Sequence, residues 1–269
     1  MKRNVLLAIA LVLLVAVNVA PLYLLVKQAF TPERESVQWP LSFVPKTLTL
    51  VHLKQIISSA NLLNGFVLSI VAALGSTLLS LVLGVVGGWA IARARALSSV
   101  VLSVVVMARL FPTISVGIPV AVLFISFGLY NHPWAVGLIL AHATVSLPFV
   151  LLISYSTFIA IPKTLEESAL VDGCSLLGAF IRISVPLARP GIAAAAILAF
   201  ILSWDEFTYA LLLQITNRNL PPLIYYYSSY GNIGTASALS FLMLVPAVVI
   251  TFVIQKHIKA GYVTGAVKA

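Results

Sequence analysis

Few residues in this chain are equipped for chemistry. There are seven acidic side chains, four histidines and one cysteine in 269 residues. His52, His132, His142 and His257 fall on four different segments, and no His-x-x-x-His or Glu-x-x-His pair exists. That spacing offers no metal site, and no nucleophile–base constellation is visible. The phosphate-cradling Gly-x-x-x-x-Gly-Lys loop is also missing, so no nucleotide is bound by that means. Cys174 alone excludes a disulfide framework and a cysteine-rich metal site. Two groups of charges remain. Glu166, Glu167 and Asp172 share one polar segment, and Arg109, Asp205 and Glu206 lie inside apolar runs. A charge within an apolar span is costly and by default functional. These three either line a polar path or pair with neighbours and with backbone freed near Pro112. For Arg109 the pairing role is favoured, and His142 reads as a packing residue.

The elements that position these residues follow from composition. The chain is 61% hydrophobic and 9% charged, with a mean hydropathy of +1.10. A soluble domain is about 25% charged, and its outer shell must be polar. Both a soluble enzyme and a disordered chain are excluded. Apolar runs long enough to cross a hydrocarbon core of about 20 residues are Val5–Val26, Phe66–Ala92, Val100–Phe127, Ala135–Ala160, Ile192–Leu213 and Ala236–Ile254. The first is too long for a cleaved leader, and Pro21 follows the tempting small residue Ala20, so an uncleaved helix is expected.

The net charge of +9 would suggest nucleic acid in a soluble protein. Here it reports orientation. With the N-terminus inside, the inner segments carry Lys2, Arg3, Arg93, Arg95, Lys163, Arg182, Arg189, Lys256, Lys259 and Lys268. The outer ones carry Lys27, Arg34, Lys46, Lys54 and Arg218. The expected fold is an all-α polytopic membrane protein of six spans with both ends inside. Its expected organisation is a single transmembrane domain: a first helix at 5–26, an outer segment at 27–65, core helices at 66–160, an inner loop at 161–191, two helices at 192–258 and a tail at 259–269. Leu48–Ile57, with spaced apolar residues, reads as a short interfacial helix. Gly84-x-x-x-Gly88 permits close helix packing.

The inner loop, Ile161–Gly191, mixes charge with helical periodicity. Pro162 ends the fourth span. Thr164 and Glu167 have the spacing of a capping box, and Glu166 and Glu167 suit the positive end of a helix. Gly173 can close that helix in a left-handed conformation. A second short helix is expected at about Ser175–Ile183, stopped by Pro186, with Pro190-Gly191 opening the fifth span.

The loop's residues also carry a resemblance. Glu167-Ser168-Ala169, three residues, Gly173, nine residues, Ile183, one residue and Val185-Pro186 resemble the EAA loop of permease subunits of ATP-binding-cassette importers. Ser168 stands where that pattern has Ala, and Val185 where it has Leu. Gly88-Trp89-Ala90-Ile91-Ala92-Arg93, Leu110-Phe111-Pro112, Gly128-Leu129-Tyr130, Leu147-Pro148-Phe149 and Ser203-Trp204-Asp205-Glu206-Phe207 resemble the carbohydrate branch. The ending Gly261–Ala269 resembles that of the second permease of maltose/trehalose-type importers.

The resemblance implies a type I importer permease fold in a bacterial or archaeal inner membrane. It implies one half of a translocation path for a sugar, a di- or oligosaccharide, with no enzymatic activity in this chain. The implied partners are a second, homologous permease subunit, a dimer of ATPase subunits holding ATP and Mg2+, and an extracytoplasmic solute-binding protein. This chain itself would bind no cofactor, metal or nucleic acid. Glu166, Glu167, Ser168, Ala169, Asp172, Gly173, Ile183 and Pro186 would couple to the ATPase, with Glu167 pairing to it. Asp205, Glu206, Tyr209 and Arg109 would line the substrate path. Tyr225, Tyr226, Tyr227 and Tyr230 would meet the binding protein, although tyrosine is also enriched at membrane interfaces. A non-sugar solute is the alternative cargo. An ion-coupled secondary transporter would need repeats that the two halves do not display, and a membrane-embedded hydrolase would need a nucleophile or metal cluster.

Overall fold

The computed structural model describes residues 2–40, 42–94 and 98–265, with backbone only at 2, 3, 5 and 254–265. Arg95, Lys268 and the last part of the tail motif lie outside the described residues. The described residues contain helices and no strand. In chain order these are α1 (Lys2–Ala29), α2 (Glu33–Ser36), α3 (Val51–Ser58), α4 (Ala60–Arg93), α5 (Ser98–Met107), α6 (Thr113–Ser126), α7 (Val136–Ile159), α8 (Thr164–Val171), α9 (Leu176–Ala179), α10 (Val185–Trp204), α11 (Thr208–Leu213), α12 (Leu220–Ser229) and α13 (Ile233–Gly265). A helix does form within the segment expected to hold an interfacial one, as α3. The chain divides into two compact units, one of residues 1–66 and 220–246 and the other of 67–219 and 247–269.

Among the described residues, five helices are long and apolar enough to cross a membrane: Leu6–Ala29, Ala60–Arg93, Val136–Ile159, Leu176–Trp204 and Ile233–Val253. A sixth crossing exists only if a bent pair, Ser98–Leu110 and Thr113–Ser126, counts as one span. The continuous third span expected from composition is therefore broken, with a bend of 91°. Pro112 is the reason. It forces Phe111 into extended backbone (φ −75°, ψ 126°). The fifth apolar run is also interrupted, between Trp204 and Thr208.

Pro186 and Pro190, by contrast, do not break the chain where the sequence suggested. The helix runs from Leu176 to Trp204 through a widened turn at Phe180–Ser184, where the Val185 N–H reaches back five residues to Phe180 O. A π-type turn of this kind absorbs the missing N–H of a nearby proline.

In the larger unit, glycines set the helix spacing. A Cβ on Gly84 would stand 2.7 Å from Val150 Cγ1, and one on Gly88 would stand 2.6 Å from Ser154 Cβ and 2.7 Å from Tyr155 N. The Gly84/Gly88 pair thus lets α4 lie against the backbone of α7. Gly191 plays the same part for α10, directly against Thr157 of α7. The buried core between them includes Val85, Val150, Phe158, Ala188 and Ala195.

In the smaller unit, the start of α13 is held by the segment after α1. The Glu33 carboxylate accepts the N–H groups of Ile233 (3.1 Å) and Gly234 (3.3 Å), and Asn232 Oδ1 accepts that of Thr235 (3.2 Å). These bonds satisfy first-turn donors that have no partner within the helix. The buried His52 ring lies against Gly234, where any side chain would collide with it.

Gly88→Val should lower the thermal midpoint of the protein in detergent, at an overpacking cost of about 1–3 kcal/mol. Gly87→Val should leave it nearly unchanged, since a Cβ there meets only Leu151 Cδ1 at an ordinary 3.5 Å. Equal midpoints for the two variants would contradict the α4–α7 contact.

Candidate functional site

The loop at 161–191 is built around one buried carboxylate. α8 begins just after Pro162, with Lys163 rather than Thr164 in the capping position and with no side-chain cap bond. Thr164 is already inside the helix, so the expected capping box does not form. The Glu167 N–H goes to Lys163 O (3.1 Å) instead. Successive glutamates then point about 100° apart, since a turn holds 3.6 residues. Glu166 turns inward and is buried, and Glu167 turns outward.

Glu166 meets Arg93, the last residue of α4. Arg93 Nε donates to Glu166 Oε2 (2.9 Å) and Nη2 donates to Oε1 (2.7 Å), a two-pronged ion pair. Trp89 Nε1 donates to the same carboxylate (3.1 Å), as does the Ser184 hydroxyl from the widened turn before α10. Arg93 also donates to the carbonyls of Phe158 (3.2 Å) and Ile161 (3.4 Å), closing the end of α7. Trp89 and Phe180 rings pack over this joint, with centroids 4.8 Å apart. One carboxylate and one guanidinium therefore tie α4, α7, α8 and the start of α10 together. Burial pushes the Glu166 carboxyl up, but the hydrogen bonds from Arg93, Ser184 and Trp89 and the charge of Arg93 outweigh it. The net result lies below the ordinary carboxylate value.

The rest of the loop faces out. Glu167 pairs only with Lys163 (3.2 Å) at the surface, a contact worth little by itself. Ser168, Asp172 and Gly173 are exposed, Ala169 is buried, and Ile183 and Pro186 are half-buried. Gly173 has the left-handed conformation expected of it, φ +87°. Beside these residues the loop exposes Val171, Leu176 and Leu177. Arg93, Trp89, Ser184 and this apolar rim were not singled out for the site from sequence. For Arg93 and Trp89 the available signal was the Gly-Trp-Ala-Ile-Ala-Arg motif. For the rim it was apolar residues lying off the buried face of α8.

The second group of charges surrounds the break after α10. Asp205 is exposed at the helix end. Glu206 is buried, and its carboxylate accepts the N–H groups of Thr208 (3.1 Å), Tyr209 (2.8 Å) and Ala210 (3.3 Å). It supplies the first turn of α11 with the acceptors that the broken helix lacks. His142 lies between it and a buried hydroxyl chain. Its Nε2 is 3.4 Å from Glu206 Oε2, Nδ1 is 2.7 Å from Ser203 Oγ, and Ser76 donates to Ser203 (2.7 Å).

Arg109 sits at the 91° bend and is exposed. Its Nη1 donates to Val145 O (3.1 Å), and its guanidinium lies 4.5 Å from the centre of the Phe149 ring. Arg109 and Tyr209 line one cavity of about 160 Å3, and Asp205 and Glu206 do not. Tyr225, Tyr226, Tyr227 and Tyr230 belong to the other unit. They form a cluster along and just beyond α12, not an irregular loop, with Tyr226 and Tyr230 ring centres 4.6 Å apart. Among the described residues no three His, Cys, Asp or Glu side chains are grouped to hold a metal.

Residues 80–263 match the model of one family, described as the binding-protein-dependent transport system inner membrane component. The chain belongs to that family. It is 31% identical over 241 residues to a sulfoquinovosyl glycerol transport system permease protein of Agrobacterium fabrum, covering 88% of this chain and 84% of that one. It is 30% identical to a trehalose transport system permease protein of Mycobacterium tuberculosis, covering 84% of each. Its fold is similar to a chain in the crystal structure of a bacterial ABC transporter involved in importing the acidic polysaccharide alginate. There the TM-score is 0.77 with 16% identity, over 95% of this chain and 96% of that one. The chain is thus an inner-membrane transport component of the ABC importer permease family, with several membrane-length apolar helices.

The Glu166–Arg93 joint has a measurable pH signature. Because the folded-state value lies below the unfolded one, its contribution is complete above the ordinary carboxylate range and is lost as pH falls through the folded value. The protection factors of residues 164–171, measured by hydrogen exchange and corrected for the intrinsic pH dependence, should therefore fall on acidification through that range, and Glu166→Gln should flatten the response. Arg93→Ala should be the harsher change, costing about 3–5 kcal/mol because it strands a buried carboxylate.

Proposed function

We propose that this chain is the permease subunit of an ATP-driven, binding-protein-dependent sugar importer. It forms half of the translocation path and couples to a separate cytoplasmic ATPase through α8. The single observation behind this reading is the division of labour between the two adjacent glutamates. Glu166 fastens α8 to three membrane helices, and Glu167 is left facing outward beside Gly173 and an apolar rim. A push on the outer face of α8 then reaches α4, α7 and α10 through a rigid joint, and the helices rock between inward- and outward-open arrangements.

Further elements belong to the same reading. The chain makes a single permease domain of six spans with both ends inside, the bent pair α5–α6 counting as the third. The inner segments hold ten basic residues and the outer ones five, the bias that insertion favours. Residues 161–191 lie on the cytoplasmic side, as does the tail. A second permease completes the path, an ATPase dimer supplies ATP and Mg2+, and a solute-binding protein docks outside, near Tyr225–Tyr230. The names of the two relatives, both saccharide or glycoside transport components, support a sugar cargo of di- or oligosaccharide size. Asp205, Arg109 and Tyr209 are the candidate path residues, with Glu206 shaping the path from behind.

A tag on this chain should bring down an ATPase bearing a phosphate-binding loop. Glu167→Lys should abolish uptake while the protein still inserts and keeps the stability of the wild type, because Glu167 carries no buried partner. Gly173→Asp should also abolish uptake, but with a loss of stability, because an aspartate at φ +87° is strained. Wild-type uptake in both variants would contradict the coupling role. A sugar panel against the cognate solute-binding protein checks the cargo, and failure of every saccharide to bind would remove the sugar.

A further inference from the structure

The cavity beside the 91° bend has an unusual wall. Arg109, Phe111, Thr113, Thr144, Pro148 and Tyr209 contribute to it, and no carboxylate does. Arg109 offers five N–H donors, of which one is taken, by Val145 O. The hydroxyls of Thr113 and Tyr209 have no protein hydrogen-bond partner among the described residues. Thr144 uses its own proton on Ala141 O (2.6 Å). The nearby carboxylate, Glu206, is turned onto the N–H groups of α11 and towards His142. The wall therefore carries a fixed positive charge and spare O–H and N–H donors.

A neutral sugar hydroxyl both gives and accepts a proton, so a site built for it mixes donors with acceptors such as carboxylates and amides. The Thr and Tyr hydroxyls here can serve either partner, so what sets this wall apart is a cation with unused N–H donors and no carboxylate beside it, and that suits a group carrying negative charge. Planar, two-pronged recognition of an oxyanion is also what a guanidinium does best. The position adds weight. Arg109 lies between α5 and α6, whose neighbouring turns are apolar, and the cost of a cation there is offset only in part by one carbonyl and the face of Phe149.

We propose that Arg109, Thr113 and Tyr209 form an oxyanion subsite in the translocation path, so that the cargo is an acidic saccharide carrying a carboxylate or sulfonate. This rests on the sugar-importer reading above and narrows its substrate class.

The test uses the assembled transporter isolated through a tag on this chain, in detergent and without binding protein, probed by saturation-transfer NMR. The two probes are trigalacturonate and maltotriose. Trigalacturonate should bind more tightly than maltotriose to the wild type. Arg109→Gln should weaken trigalacturonate about tenfold, in line with loss of one charge-assisted contact. Arg109→Lys should restore it to within about threefold, since the charge remains and only the fork is lost. Maltotriose should respond to neither change. The wild-type comparison needs no variant: equal binding of the two probes overturns the acidic subsite and leaves a sugar importer standing. Equal weakening of both probes by Arg109→Gln also overturns it, because Arg109 would then be shaping the path rather than reading charge. Binding of neither probe overturns the subsite, and an additional blank against neutral and acidic sugars at the solute-binding protein would remove the sugar reading with it.

Discussion

A buried charge pair organises the region around α8. Glu166 and Arg93 are 73 residues apart in sequence and meet at 2.7 Å. Taking two charges out of water costs several kcal/mol per ion, so such a pair persists only when each remaining hydrogen-bonding site is used. Here Trp89 and Ser184 fill the carboxylate, and the carbonyls of Phe158 and Ile161 fill the guanidinium. Arg93 also stands at the C-terminal, negative end of α4, where a cation is favoured. The pair fixes which face of α8 is turned inward, and so which glutamate is presented. A hydrophobic patch would hold α8 as firmly, but it would specify its rotation less sharply.

The same accounting governs the two places where apolar runs break. In a bilayer an unpaired backbone group has no water to turn to, so irregular backbone survives only with partners supplied by the protein. At the break after Trp204, Glu206 accepts three N–H groups at once. Beside the Pro112 bend, Arg109 donates to a carbonyl of the Pro148 turn in α7. These side chains are thus positioned by backbone need first. Asp205, one residue from Glu206, has no such duty and faces out. Opposite roles for adjacent residues recur here, as with Glu166 and Glu167.

Close packing of uncharged helices follows a different rule. Between apolar helices in an apolar solvent, shape does the work. Gly84, Gly88 and Gly191 let backbones approach, and α7 lies against α4 and α10 through them. The joint at Glu166 connects helices that are already closely seated.

Composition alone placed the chain in a bilayer, because 61% hydrophobic residues cannot be hidden from water in a chain of this length. Local chemistry alone located Gly173's left-handed turn, the short helix near Val51 and the loop bearing the EAA pattern, since each depends on residues a few positions apart. Hydropathy could not reveal the breaks at Pro112 and Asp205, because a broken span and a straight one are equally apolar. Thr164 and Glu167 had the right spacing for a capping box, but the helix began one residue too early for it. Which glutamate is buried was settled by Arg93, far along the chain. The sequence determined which groups needed partners. Only the tertiary structure decided which partners they found, because desolvated charges and broken helices are satisfied by whatever the packing brings near.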